Sequence, residues 1–419
     1  MSSPSSRDIS ELNPTIGPTI GLAGMLPRNK LTQRNLAVFA AGVVTFLNLY
    51  CTQAILTVLA SQFHTSPLRT GLTVTTPLLA VAMIAPLIGA ISDRFGRRRL
   101  IVSAAMLLIL PTLLAATAQT LGQMILWRFL QGLLLPFIFT VTVAYIGDES
   151  AGGTTIKLAG TYITGAIFGG FAGRVITGIA TEYLGWRIAL ALIGLLTMAL
   201  AWMIFIWLPA EQNFTPTRGL ARALRSYKIH MGNPRLLATY AVGFGVLFSF
   251  VAVFTFINFR LAAPPFNLGP AALGLVFVVY LAGVVVTPLA TRLAARIGRR
   301  PVVLAASLAG FLGFGLTLAQ SLPIIIAGLA FMCCGLFVEQ ALATGFVGAA
   351  AREAKSTAVG LYVTFYYIGG SLGGILPAGL WRATGWTGCV ALVSCMQLVM
   401  LVLVLRFWGA IPIISPNPP

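Results

Sequence analysis

Apolar runs of about 20 residues recur along almost the whole chain, separated by short polar turns. That length crosses the hydrocarbon core of a bilayer as an α-helix. Lipid offers no partner to backbone N–H and C=O groups, so runs of this kind fold as helices that pair those groups internally. Of the 419 residues, 58% are hydrophobic and only 9% are charged. Soluble domains carry roughly 25% charged residues, so this chain has too little polar surface to face water. The pattern predicts an all-α polytopic membrane protein with twelve transmembrane helices. The expected spans are 36–60, 71–92, 100–118, 122–146, 157–181, 188–208, 236–260, 271–291, 301–319, 322–347, 356–380 and 387–408.

The net charge of +18 is distributed as an orientation signal and not as a nucleic-acid face. Of the 27 Lys and Arg residues, Arg128 and Arg174 fall inside spans, and Arg69, Arg187, Arg260 and Arg382 fall in the odd-numbered loops. The N-tail, the even-numbered loops and the C-terminal end hold the other 21. The positive-inside rule then puts both termini in the cytoplasm. Residues 1–34 are polar, Pro/Ser-rich and basic, and read as a cytoplasmic tail and not as a cleavable leader. Residues 209–235 form a basic linker loop, and 409–419 a C-terminal tail. Cys51, Cys333, Cys334, Cys389 and Cys395 all sit in apolar runs and read as small buried hydrophobes. No metal site, nucleophile–base set or phosphate loop is expected, and so no cofactor and no enzyme. His64 and His230 receive no role.

The chain is also internally repeated. Residues 160–164 read GTYIT and 360–364 read GLYVT; Gly169-Gly170 matches Gly369-Gly370, Gly173 matches Gly373, and Gly185-Trp186 matches Gly385-Trp386, all 200 residues apart. DRFGRR at 93–98 matches ARIGRR at 295–300, an offset of 202. Two segments agreeing on nearly one offset indicate duplication, giving six-helix halves at 35–208 and 236–408. Substrate sites in such proteins form where the halves meet.

These residues also carry a family resemblance. Gly89-Ala-Ile-Ser-Asp93-Arg94-Phe-Gly96-Arg97-Arg98-Arg99, placed after the second span, resembles the loop signature of the major facilitator superfamily. Arg128-Phe-Leu-Gln-Gly132 resembles its fourth-span signature. Gly165-x-x-x-Gly169-Gly170-x-x-Gly173 is similar to the fifth-span signature of drug/proton antiporters, and LYCTQAILTVLASQF with GLYVTFYYIGGSLGG resembles the bacterial acriflavine-sensitivity branch. Three positions depart from the pattern: Gly170 stands where Pro is usual, Arg174 where Gly is usual, and Ala295 replaces the acid in the second loop copy.

The resemblance implies a proton-coupled exporter of a small lipophilic compound in a bacterial-type inner (plasma) membrane, a monomer by family default. A sugar or metabolite exporter or a proton symporter is the alternative; a channel or non-transporting receptor fits less well. It also implies that Gly89, Asp93, Arg94, Gly96, Arg97 and Arg98 form a conformational latch, and that Arg128 takes part in a proton relay.

Other expectations come from the residues themselves. Glu339 is the one acid inside a span, where an ionised carboxylate costs at least about 2.5 kcal/mol. It should be neutral, paired or wetted, which makes it the candidate proton carrier. Arg174 is expected to snorkel outward, toward Glu182. Gly165, Gly169, Gly170, Gly173, Gly369 and Gly373 are expected to let helices approach closely. Cavity candidates are Asn48, Gln53, Asn258, Gln340, Tyr362 and Tyr366, the aromatic ones suited to lipophilic or cationic ligands. Thr45, Asn48 and Thr52 share one helix face that Gln53 does not, so at most one of those two sets faces a cavity.

Overall fold

The computed structural model describes residues 28–150, 152–211, 227–351 and 354–409, without the side chains of 28–30, Ala90, Asp93 and Ser356. The expected tails and Arg218, Arg222 and Arg225 of the linker lie outside the described residues. Twelve helices are long and apolar enough to cross a membrane: α1 Leu31–Gln62, α2 Pro67–Gly89, α3 Arg97–Ala116, α4 Leu121–Glu149, α5 Gly153–Leu184, α6 Trp186–Trp207, α7 Pro234–Ala262, α8 Pro270–Ile297, α9 Arg299–Leu316, α10 Leu322–Ala350, α11 Thr357–Thr384 and α12 Trp386–Phe407. There is no strand among the described residues. Several helices outrun the expected apolar spans. Helix α5 starts at Gly153 and the helix of α2 continues to Phe95, because polar residues at membrane ends extend a helix into water at little cost.

The duplication is visible in how helices end. Gly96 and Gly298 separate α2 from α3 and α8 from α9, with φ of 88° and 93°. Gly185 and Gly385 separate α5 from α6 and α11 from α12, with φ of 86° and 66°. A residue with a Cβ rarely adopts this backbone, so each hairpin corner needs its glycine.

Helices α1 and α7 are central in their halves: 72% and 89% of their most apolar stretches are buried, against 39% or less for α3, α6, α9 and α12. Those four rim helices present Leu110, Trp202, Leu308 and Leu398, each more than half exposed, which face lipid in a membrane. Cys395 is also exposed on α12, contrary to the expectation that all five cysteines are buried.

Small residues set the helix spacing. A Cβ on Gly165, Gly169 or Gly173 of α5 would run into the carbonyls of Phe39, Val43 and Leu47 of α1. Gly369 and Gly373 of α11 make the same approach to Phe244 and Phe248 of α7. The close α1–α5 packing is thus repeated as α7–α11, about 200 residues on. Gly170 is the exception in the expected packing set. It lies beside Phe46, Tyr50 and Arg174 with ordinary room, not against α1 backbone.

Loops divide onto two faces. On one, Arg97 pairs with Asp148 at 2.9 Å. On the opposite face, Arg260 bonds to the carbonyls of Thr317 and Ala319, and Glu182 accepts from the Ala271 N–H at 2.8 Å. The first of these is called the arginine-rich face below.

Candidate functional site: the seam between the halves

The two halves touch mainly toward the face opposite the arginine-rich one. Gly178 of α5 lies against the Pro270 carbonyl and Gly274 of α8. A Cβ on Gly71 of α2 would sit 3.1 Å from the Gly374 carbonyl of α11, and Thr75 packs on Gly374. Deeper in, Asn258 Nδ2 of α7 donates to the Gln53 carbonyl of α1 at 2.8 Å. Several glycines toward the arginine-rich face stand in open space. Gly89, Gly147, Gly160, Gly345 and Gly360, on α2, α4, α5, α10 and α11, have nothing within 4 Å of where a Cβ would stand. The seam is therefore shut at the end away from the arginine-rich face.

Aromatic rings line its middle. Phe139 of α4 meets Tyr367 of α11 across the seam at 5.9 Å between ring centres. Phe46 joins Phe139 to Tyr50, and Tyr366 joins Tyr367 to Tyr362. Tyr362 donates to Gln340 Oε1 at 3.1 Å. The expected cavity residues Gln340, Tyr362 and Tyr366 thus come together, and Gln53 and Asn258 meet at the shut end.

Arg174 stands in the same seam. Its guanidinium carbon is 4.1 Å from the Tyr50 ring centre and 4.5 and 4.8 Å from those of Phe277 and Tyr280 of α8. Nε and Nη2 both donate to Gln53 Oε1, at 2.9 and 2.8 Å, and Nη1 donates to the Gly170 carbonyl at 2.7 Å. With 3% of its surface exposed, Arg174 does not snorkel outward. The expected partner Glu182 instead caps the start of α8 at Ala271. Three rings and an amide hold the cation better than an exposed carboxylate at a membrane end does.

Asn48 is not a cavity residue. It is buried within the first half, where it donates to Thr197 Oγ1 and accepts from Thr112 Oγ1, both at 2.8 Å. Of the two sets on α1, the Gln53 set faces the seam. Arg128 lies in the same interior network. It donates to the carbonyls of Thr73, Asn48 and Leu49 at 2.6–2.9 Å and to Gln131 Oε1 at 2.5 Å. Helix α1 breaks here: its first segment ends at Tyr50 and a 3₁₀ turn covers Gln53–Ile55. The break frees carbonyls that the helix would otherwise use, and Arg128 takes them.

Glu339 lies inside the second half. Its Oε1 accepts from Ser307 Oγ of α9 at 2.6 Å and Gln397 Nε2 of α12 at 2.5 Å. Glu339 Oε2 and Gln397 Oε1 are buried without a hydrogen-bond partner among the described residues. The structure does not bring Glu339 and Arg128 together; each takes its hydrogen bonds from its own bundle.

The signature loop is engaged by two acids, Asp148 and Glu211, to which no role was expected to fall. Arg97 pairs with Asp148 at the end of α4 and with Ser92. Glu211, past the end of α6, accepts from the Arg98 N–H at 2.7 Å, and Arg98 Nε donates to the Leu208 carbonyl at 2.6 Å. Gly96 leaves room for the Glu211 carboxylate. Arg94 stacks on Phe95, and Gly89 is open. The Asp93 side chain lies outside the described residues. The even-loop topology held the missed signal, since it places residues 148 and 211 on the face of the arginine loop.

Across residues 38–264 the sequence matches the family model described as Major Facilitator Superfamily. The chain belongs to the major facilitator superfamily. Its likeness to the inner membrane transport protein YnfM of Escherichia coli K12 is 34% identity over 369 residues, covering 87% of this chain and 88% of that one. Two solved structures share the superfamily fold. The human organic anion transporter MFSD10 (TETRAN) matches with a TM-score of 0.67 at 18% identity, covering 90% of this chain and all of that one. The nucleoside transporter NupG, solved as a point mutant, matches with a TM-score of 0.70 at 15% identity, covering 89% of this chain and all of that one. Membership makes this chain a multi-pass membrane transporter and not an enzyme. The two structures speak to the fold alone.

Proposed function

We propose that this transporter is a monomeric alternating-access carrier that exports a small lipophilic compound in exchange for protons. In this reading the arginine-rich face is cytoplasmic, as the loop charges argue, and the membrane is a bacterial inner membrane. The halves 35–208 and 236–408 rock about the seam, joined by the 209–235 linker.

The observation that carries the proposal is the asymmetry of the seam. Glycines pack the halves together at Gly71–Gly374 and Gly178–Gly274, whereas Gly89, Gly147, Gly160, Gly345 and Gly360 toward the arginine-rich end meet nothing. A carrier caught with one gate shut has this form, whereas a channel needs a continuous path. The ring-lined middle suits an apolar cargo. Glu339, buried with one unpartnered oxygen, is the proton carrier in this scheme. The loop of Gly89, Asp93, Arg94, Gly96, Arg97 and Arg98 is the latch of the opposite state; in the state seen here Asp148 and Glu211 hold Arg97 and Arg98 within the first half.

The test is to trap the shut end. Cysteines replacing Glu182 and Ala271, joined by a short bismaleimide in proteoliposomes, are expected to stop exchange of a radiolabelled lipophilic dye, and a cleavable linker to restore it on reduction. Unimpeded exchange by the cross-linked protein would overturn alternating access.

A further inference from the structure

Arg128 and Arg174 lie well away from the ends of their helices and are buried, and they are not alike. Arg128 donates to three backbone carbonyls near the break in α1, so a structural need accounts for it. Arg174 meets one backbone carbonyl, that of Gly170, four residues back on its own helix. An intact helix already uses that carbonyl, so Arg174 rescues nothing. No carboxylate among the described residues lies within ion-pair distance of it. Burying a cation at this depth is costly, and every partner it has is neutral.

Its geometry is that of an anion receptor with a stand-in. The faces of the guanidinium are covered by Tyr50, Phe277 and Tyr280. The Nε/Nη2 edge is the one that grips a carboxylate through two parallel hydrogen bonds. Here that edge converges on the single oxygen Gln53 Oε1. Tyr50 and Tyr280 keep part of their surface exposed, while Arg174 is buried behind them. Tyr280 is hemmed in on its own half by Phe250, Phe254, Phe277 and Phe337 and meets Arg174 from the other half.

We propose that Arg174 is the anion-recognition site of this carrier, and that its cargo is an amphiphilic organic acid. The carboxylate replaces Gln53 on the Nε/Nη2 edge, and the apolar body lies against Tyr50 and Tyr280. This rests on the carrier reading above and narrows its lipophilic cargo to an anionic one. The site lies beside a bond between the halves, since the Gln53 backbone carbonyl is the acceptor for Asn258.

The probes are 1-naphthoate and its neutral match 1-naphthamide, measured by equilibrium binding to the full chain in nanodiscs, with empty discs subtracted. The unaltered protein is expected to bind naphthoate at least about tenfold more tightly than the amide, because the amide cannot supply a charge to the guanidinium. Arg174→Gln should erase that preference and Arg174→Lys should keep part of it. Gln53→Leu should tighten naphthoate binding by removing the competitor. Equal binding of the two probes by the unaltered protein, binding of neither, or a preference that survives Arg174→Gln overturns the proposal. The first comparison needs no variant, so misfolding cannot mask it. Loss of charge preference with exchange of a neutral dye intact leaves the carrier reading standing. A preserved preference in a protein that exchanges nothing sinks only that reading.

Discussion

Gln53 accepts two hydrogen bonds from Arg174 on its side-chain oxygen, at 2.9 and 2.8 Å, across the 121 residues that separate them. Its main-chain carbonyl is held from the other half by Asn258. One residue beside the break in α1 thus ties α5 and α7 together at the shut end of the seam.

Arg128 and Arg174 should respond to mutation in opposite ways. Arg128→Leu strands the Leu49 carbonyl in an apolar interior and leaves those of Thr73 and Asn48 only long contacts of 3.4 Å from Thr52 and Cys51, at about 1–3 kcal/mol for a group left unpaired. The variant is expected to lose its monodisperse peak in fluorescence size-exclusion chromatography. Arg174→Gln removes a buried cation and should keep that peak. The reverse pattern would reassign the two roles.

Helix spacing gives a sharper contrast. Gly373→Ala puts a methyl group into the Phe248 carbonyl, and overpacking of this kind costs about 1–3 kcal/mol. Gly360→Ala, on the same helix, meets open space. Thermal unfolding in detergent should show a lowered midpoint for the first and an unchanged or slightly raised one for the second.

Proton coupling is tested at Glu339. Glu339→Gln keeps an oxygen for Ser307 and Gln397 and so should fold. It cannot release a proton. Uptake into everted vesicles is expected to stop responding to an imposed pH gradient, while substrate counterflow persists. An unchanged pH response removes Glu339 from the scheme.

Glu211 acts as a borrowed helix cap for α3. Its carboxylate accepts the Arg98 N–H, which has no intrahelical partner at that end. Glu211→Ala should lower stability by about 0.5–2 kcal/mol, the usual worth of a cap. Glu211→Gln should recover most of it, as read by urea unfolding of the reconstituted protein.

The sequence alone determined the membrane class, the twelve helices and the repeat. Those follow from local quantities: the length of apolar runs, the placement of Lys and Arg, and glycine pairs at a 200-residue offset. The close packing of Gly169 and Gly373 was legible for the same reason, because a helix interface advertises itself in residue size. Side-chain destinations were not legible. Helical periodicity places Asn48 and Gln53 on different faces of α1, but only the packed structure shows that the Asn48 face turns into the first bundle and the Gln53 face toward the other half. Arg174 could as well have reached outward along its helix; what decided its inward course was three rings and an amide delivered by α1 and α8. Glu339 and Arg128, the most conspicuous charges in the spans, were drawn into separate bundles by neighbours remote in sequence. In a bilayer a buried polar group goes where its hydrogen bonds can be met, and those partners are chosen by tertiary contact.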